Sequence, residues 1–162
     1  MDMDQKWLRH IISQQHEASY RWACHCCHGD PELAKDVLQS VYLKILEGKA
    51  RFDQQSQVKT WLFSIIRFTA IDELKKQTSP AFVDLKEVTE QAQEPSKNTD
   101  KYHRFLDQLS EKQREVLLLV FYHGLTIEAA SEVMACKLGT ARTHYQRGKK
   151  RLKEMIEHER VQ

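Results

Sequence analysis

The sequence predicts an all-α protein in which an acidic linker joins two small helical domains. Apolar residues recur at helical spacing along most of the chain, and no segment shows the strict alternation of a half-buried strand. The 5 glycines and 3 prolines are too few for a turn-rich β fold. The 162 residues suffice for one ordinary domain or two small ones, and a hydrophobic content of 41% supplies only thin cores.

The composition also argues against several other classes of protein. No apolar run approaches the roughly 18 residues that a membrane span needs. Residues 1–6 lack the basic start of a secretory signal. We therefore expect the chain to act in the cytoplasm without inserting into a membrane. Three of the 4 cysteines crowd into residues 24–27, which is unlike the spacing of a disulfide framework.

Three amphipathic stripes predict three helices in the first domain, which we place at residues 1–77. The stripes cover residues 7–20, 33–46 and 58–74. Between the first two stripes, Gly29 suits a helix C-terminus, and Asp30 can cap the next helix just ahead of Pro31. Gly48 follows the second stripe and is predicted to end its helix.

A change of composition marks residues 78–101 as the linker. Five acids and two bases lie between Asp84 and Asp100, and a cluster of helix-breaking residues precedes them, which is typical of a solvated tether. The second domain then occupies residues 102–162. Its first long helix is predicted to begin after Ser110, which opens a capping-box pattern.

The second domain carries the pattern of a helix-turn-helix over residues 126–145, after a helix that Gly124 is predicted to end. Two helices that cross steeply need small residues at the crossing and an apolar residue facing back. Ser131, Ala135 and Ala141 meet these demands. Glycine is the commonest residue at the position of Ala135, so we expect a turn that is strained or differently shaped.

The second helix of this motif is predicted to run over residues 140–156 and to be strongly basic. Seven Lys or Arg and no acid lie between Lys137 and Lys153, which indicates an anion-binding surface or a solvated basic helix. The residues predicted to face inward are Ala141, Tyr145, Gly148 and Leu152. The candidate DNA-binding residues are Lys137, Thr140, Arg142, Thr143, His144, Arg147 and Lys150.

Several motifs together resemble the extracytoplasmic-function (ECF) sigma factors of bacterial RNA polymerase, in the sigma-70 family. The motifs lie at residues 34–46, at Phe52 with 58–76, at 106–119, and at 139–143 with 147–152. Their order, their spacing and the acidic linker between them all match the family. The resemblance implies that the chain binds core RNA polymerase and directs it to promoter DNA, with no catalytic residues and no cofactor of its own.

The resemblance also implies a role for each predicted domain. The first would be region two, which opens the minus-ten element and binds core polymerase through Asp36 and Gln39. The second would be region four, which reads the minus-thirty-five element as duplex DNA. An anti-sigma factor, often tethered to a membrane, is an expected partner that would cover the face around Asp36 and Gln39 and the surface of region four.

A region two that holds single-stranded DNA needs cations and stacking surfaces. The candidate DNA-facing residues of the first domain are Lys49, Arg51, Lys59, Thr60, Phe63, Arg67, Phe68, Lys75 and Lys76. Phe68 stands where the family often has Asn, so stacking would replace a polar base contact there. Trp61 is a tempting stacking wedge, but its helical spacing favours the hydrophobic core.

Residues 24–28 offer a second functional hypothesis, because Cys24, Cys27 and His28 would share one face of a helix. Three soft ligands and a fourth from elsewhere could hold zinc, although the paired knuckles of a structural zinc site are missing. The plainer interpretation is that the cysteines are small buried hydrophobes, and we predict no metal. The alternatives to a sigma factor are thus a free-standing helix-turn-helix regulator and a metal- or thiol-sensing interaction protein.

Overall fold

The computed structural model describes residues 5–77 and 104–161. The chain divides into two compact units, Met1–Thr89 and Glu90–Gln162. Both units are helical and the described residues contain no strand, so the all-α prediction is confirmed. The predicted linker lies outside the described residues. None of the described helices is long and apolar enough to cross a membrane.

The described part of unit one, residues 5–77, contains three helices: α1 (Gln5–Cys26), α2 (Pro31–Leu46) and α3 (Val58–Gln77). The predicted boundary between α1 and α2 is confirmed. Gly29 adopts a left-handed φ of 84°, and its amide donates to the carbonyl of Cys24 at 2.8 Å, which closes the end of α1. The Asp30 carboxylate accepts hydrogen bonds from the amides of Glu32 and Leu33, and this caps α2.

The hydrophobic core of unit one forms where the three helices meet. Trp22 of α1 packs its indole flat against Phe63 of α3, with ring centroids 5.6 Å apart. The Trp22 Nε1 donates to the carbonyl of Phe63 at 3.1 Å, so the one polar atom of the ring is satisfied. Val37 and Val41 of α2 and Ile66 of α3 are fully buried with them. These contacts fix which faces of α2 and α3 remain on the surface.

The described part of unit two starts with a helical turn at residues 104–107 and continues with α4 (Glu111–Leu117). The Ser110 hydroxyl accepts from the amide of Gln113 and caps α4, as predicted. The helix then widens into a π-helical turn at Leu118–Tyr122, where the His123 amide donates to the carbonyl of Leu118. Gly124 follows in a left-handed conformation, with φ of 71°.

The helix-turn-helix consists of α5 (Ile127–Val133) and α6 (Leu138–Val161). Ala141 and Gly148 of α6 are buried, as their spacing predicted. A Cβ at Gly148 would lie 3.1 Å from both the Gln113 Cβ and the Leu117 Cδ1, so glycine lets α6 approach α4 closely. The predicted end of α6 at residue 156 is wrong by about one turn, because no glycine or proline follows to stop the helix.

The turn between α5 and α6 places Ala135 in the left-handed region, with φ of 54°. The expected strain is therefore present, since this conformation costs an L-residue roughly 1–2 kcal/mol. The Cys136 amide still donates to the carbonyl of Ser131 at 3.1 Å, which closes the turn. Alanine therefore occupies the left-handed position of this turn, where the usual residue is glycine.

Ala135→Gly is expected to stabilise unit two. Removing the Cβ relieves the strain, and the greater freedom of glycine in the unfolded chain offsets part of the gain, which leaves about 1 kcal/mol. Ala129→Gly in α5 is the matched control, and it should destabilise the unit by about 1 kcal/mol because its backbone is helical. Urea unfolding of both variants measures the two signs. Destabilisation by both would contradict the strain at Ala135.

Candidate nucleic-acid interface

The first half of α6 presents a polar, basic face to solvent. Ala141 and Gly148 are buried against the rest of the unit, and the residues between them are exposed or half-buried. His144 is half-buried on the flank of the helix. The other predicted DNA-binding residues are all exposed, namely Lys137, Thr140, Arg142, Thr143, Arg147 and Lys150. This is the geometry in which a helix-turn-helix inserts its second helix into the major groove.

Arg142 is the side chain on this face best suited to reading a base. Its guanidinium lies 3.8 Å from the Glu128 carboxylate of α5, and this ion pair orients the Arg142 side chain. More than half of the side chain is exposed, which makes the ion pair weak in water. Arg142 could therefore turn from Glu128 to a guanine edge, which it can bind through two hydrogen bonds.

Thr143 is a weaker candidate for base reading, because its hydroxyl already donates to the carbonyl of Gly139 at 3.0 Å. That bond satisfies the only hydroxyl proton within the helix, although the oxygen can still accept a bond and the methyl group can contact thymine.

An aromatic pair borders the basic face of α6, and the sequence did not reveal it. Phe121 is exposed at the end of the π-helical turn and stacks on Tyr145, with ring centroids 5.9 Å apart. The Lys149 Nζ lies 5.6 Å from the centre of the Tyr145 ring. Tyr145 and Leu152, predicted to face inward, are only half-buried. Two consecutive aromatic residues, Phe121 and Tyr122, close to the helix-ending Gly124, could have indicated an exposed aromatic surface at this helix end.

In unit one the structure separates the candidate DNA-facing residues into three groups. Lys59 and Arg67 are half-buried, and burial lowers the pKa of the Lys59 ammonium. Thr60 and Phe63 are buried. The exposed members are Lys49, Arg51, Phe68, Lys75 and Lys76.

The prediction that Thr60 and Phe63 face DNA is wrong. Their side chains are 3% and 0% exposed, because the side of α3 that carries them packs against α1. Phe63 instead forms the stacked pair with Trp22, and the Lys59 Nζ lies 5.7 Å from the centre of the Phe63 ring. Thr60 and Phe63 therefore belong to the buried core beneath the exposed side of α3.

Among the described aromatic residues of unit one, Phe68 is the most exposed, at 72%. It lies seven residues after Trp61, hence almost two full turns along the same face of α3. Trp61 is half-buried rather than fully in the core, and its ring lies 5.2 Å from that of Phe52, which belongs to the loop at residues 47–57. Phe52 in turn stacks on Trp7 of α1 at 6.5 Å.

A different surface of unit one carries Asp36 and Gln39, the predicted polymerase-binding residues. Both are exposed on α2, and the spacing of Leu43 and Leu46 places them on the same face. Leu43 is 49% exposed and Leu46 is 37% exposed, although the sequence placed Leu46 in a buried stripe. The face borders a groove of about 640 Å³ whose lining residues are His16, Tyr20, Lys35, Leu38, Gln39, Tyr42, Leu43 and Leu46.

The cysteine cluster has the features of a packed helix end. Cys27 is buried, and burial raises the pKa of its thiol to about 12. Burial also raises the pKa of the Cys24 thiol. Both therefore stay protonated at neutral pH, whereas metal binding and redox chemistry need the thiolate. Within residues 5–77 and 104–161 no group of three or more His, Cys, Asp or Glu is arranged to hold a metal ion.

Comparison with known proteins gives matches in both units. The model of Sigma-70 region 2 matches residues 7–79, and the model of Sigma-70, region 4 matches residues 99–152. The ECF RNA polymerase sigma factor SigX of Bacillus subtilis (strain 168) is 30% identical over 141 residues, which cover 79% of this chain and 73% of that protein. RNA polymerase sigma factor SigZ of the same organism is 29% identical over 79% of this chain and 75% of SigZ.

Two solved structures share the fold. One is the sigma factor RpoE in complex with the anti-sigma factor NepR from Bartonella quintana, with a TM-score of 0.72, 24% identity, and coverage of 94% of this chain and 98% of that one. The other is CnrH in complex with the cytosolic domain of CnrY, with a TM-score of 0.66, 15% identity, and coverage of 96% and 90%.

Proposed function

This chain belongs to the sigma-70 family, as an RNA polymerase sigma factor of the ECF type, and we propose how its two units divide promoter recognition. Residues 1–77 act as region two, residues 78–101 as the linker and residues 102–162 as region four. The family matches at 7–79 and 99–152 support this division. The chain works in the cytoplasm as a specificity subunit, and core polymerase supplies the catalytic chemistry.

Unit two reads duplex promoter DNA through the first half of α6. The observation that carries this assignment is the separation of residue types on that helix, where Ala141 and Gly148 are buried and the basic residues are exposed. Arg142 discriminates bases, while Arg147 and Lys150 contact phosphates, which position the helix without reading sequence. Neither a free-standing regulator nor a thiol sensor is favoured, since the sigma factor relatives match over both units.

Unit one holds the opened strand along the exposed face of α3 and its preceding loop. Phe68 offers a ring on which an unpaired base can stack, and the exposed Arg51 and Lys75 supply the positive charge that attracts the phosphates. Lys49 and Lys76 are less available. The Lys49 Nζ lies 3.0 Å from the Glu47 carboxylate, and the Lys76 Nζ lies within 3.7 Å of the Asp72 and Glu73 carboxylates.

The α2 face of Asp36, Gln39, Leu43 and Leu46 binds core polymerase. Two exposed leucines beside a carboxylate and an amide form an apolar centre with a polar rim, which is the usual composition of a protein interface. An anti-sigma factor would compete for this same face. The sigma factor RpoE, which shares this fold, forms a complex with the anti-sigma factor NepR, and a competitor lowers the amount of holoenzyme by mass action.

Asp36→Arg is expected to weaken binding to core polymerase by about tenfold or more, because it reverses a charge within the interface. Glu17→Arg on α1 is the charge-matched control, since the Glu17 side chain is 81% exposed and lies outside the proposed face. Fluorescence anisotropy of the labelled chain, titrated with core polymerase, measures both. Equal binding by the two variants would contradict the α2 assignment.

Footprinting with and without polymerase separates a sigma factor from a free-standing regulator. The chain alone should leave promoter DNA unprotected at concentrations where the holoenzyme protects both promoter elements, because two small units bind strongly only when polymerase holds them. Tight protection by the chain alone, unchanged on adding core polymerase, would favour the regulator.

A further inference from the structure

Aromatic rings form a continuous series from α3, across the loop, to the first turns of α1. Trp61 of α3 lies 5.2 Å from Phe52, and Phe52 stacks on Trp7 at 6.5 Å with only 26° between the ring planes. With Phe68 further along α3, these four rings make up what we call the aromatic track. The track joins three chain segments that are far apart in sequence.

The exposure of Trp7 is the feature of the track that core packing does not explain. Trp22, the core tryptophan of the same helix, is 0% exposed, whereas Trp7 is 40% exposed. A tryptophan that served only to bury apolar surface would gain most of its stabilisation from full burial. Trp7 instead stacks on Phe52 and remains 40% exposed to water. A tryptophan ring that is packed in part and exposed in part is a suitable stacking surface for a planar ligand.

The neighbouring charges identify the class of ligand. Arg51 is exposed and directly precedes Phe52 in the loop. Lys49 is exposed in the same loop, where its Nζ forms an ion pair with the Glu47 carboxylate at 3.0 Å. The Arg51 Nε donates a long hydrogen bond to the carbonyl of Gly48, at 3.4 Å. Aromatic rings interspersed with cations are how proteins bind single-stranded nucleic acid, since the rings stack bases and the cations neutralise phosphates.

We propose that Trp7 is a stacking site for an unpaired DNA base, which extends the single-strand path of unit one beyond α3 and its loop onto α1. The inference rests on the proposed function of unit one. Phe52 supports the Trp7 ring from one side, and the base occupies its exposed surface. The opened strand thus follows the track from Phe68 toward Trp7.

Binding of the holoenzyme to a promoter with a pre-melted minus-ten region tests this site. Trp7→Ala should weaken binding by about 5- to 150-fold, the range equivalent to the 1–3 kcal/mol of one base stacked on an aromatic ring. Trp7→Phe keeps a ring and should retain most of the affinity. Glu17→Gln, an exposed change on the same helix, should match the wild type, as should all variants on a duplex fragment that carries only the minus-thirty-five element.

A fluorescent base separates stacking from mere support of the loop. 2-Aminopurine is placed at successive positions of the unpaired strand, and at one position its fluorescence should be quenched by the wild-type and Trp7→Phe holoenzymes but not by Trp7→Ala. Unchanged affinity and quenching in Trp7→Ala, with a wild-type holoenzyme that initiates normally, would overturn this proposal alone. A wild-type chain that fails to initiate with core polymerase would instead contradict the proposed function.

Discussion

Trp22→Ala is expected to unfold unit one and abolish promoter opening. The side chain is 0% exposed, and removing so large a buried ring costs about 3–5 kcal/mol. It also removes the hydrogen bond from the Trp22 indole to the Phe63 carbonyl, at 3.1 Å. A small domain has only about 5–15 kcal/mol of total stability, and unit one is at the small end of domain sizes.

Urea unfolding followed by circular dichroism measures this effect. Trp22→Phe is the matched control, because it keeps most of the ring stacking on Phe63 and loses the indole hydrogen bond, which costs about 1 kcal/mol together with a small cavity. Unit two should keep its own transition in both variants. A Trp22→Ala chain with the wild-type transition would contradict the central position of this residue.

The second large effect concerns α6, where Arg142→Ala and Lys150→Ala should weaken DNA binding in different ways. Arg142→Ala is expected to cost about 1–3 kcal/mol at the preferred promoter and to relax base preference at one position. Lys150→Ala should weaken all sequences alike and reduce the salt slope by about 1, because it removes a phosphate contact that releases counterions.

Holoenzyme titrations on matched and mismatched minus-thirty-five elements, at several salt concentrations, separate the two roles. Arg160→Ala is the control, since Arg160 is an exposed base near the far end of the same helix and should change neither quantity. If Arg142→Ala and Lys150→Ala lose the same affinity on matched and mismatched sites, the assignment of base and phosphate contacts on α6 is wrong.

Local signals in the sequence correctly predicted both ends of α2 and the start of α4. Asp30 and Ser110 cap their helices through side-chain oxygens, and Gly48 follows α2 with a φ of 76°. These features depend on a few adjacent residues, so the sequence alone determines them. The separation of residues on α6 was equally readable, because few apolar side chains interrupt its polar surface.

The exposed side of α3 could not be predicted from the sequence in the same way. Apolar and aromatic residues occur all around this helix, so periodicity does not identify one buried side. Phe63 is buried and Phe68 is exposed because α1 and α2 pack against one side only, and that choice depends on contacts distant in sequence. The exposure of Leu46 was missed for a different reason, since a leucine in a periodic stripe looks like a core residue even where it is exposed.

In vitro transcription by core polymerase and the purified chain, on fragments of the source genome, tests the central claim most directly. The account predicts that adding the chain produces a limited set of transcripts whose start sites share one pair of upstream sequence elements. It also predicts that these transcripts disappear with Asp36→Arg and persist with Glu17→Arg. Transcripts identical to those of core polymerase alone would contradict the assignment of this chain as a promoter-specificity subunit.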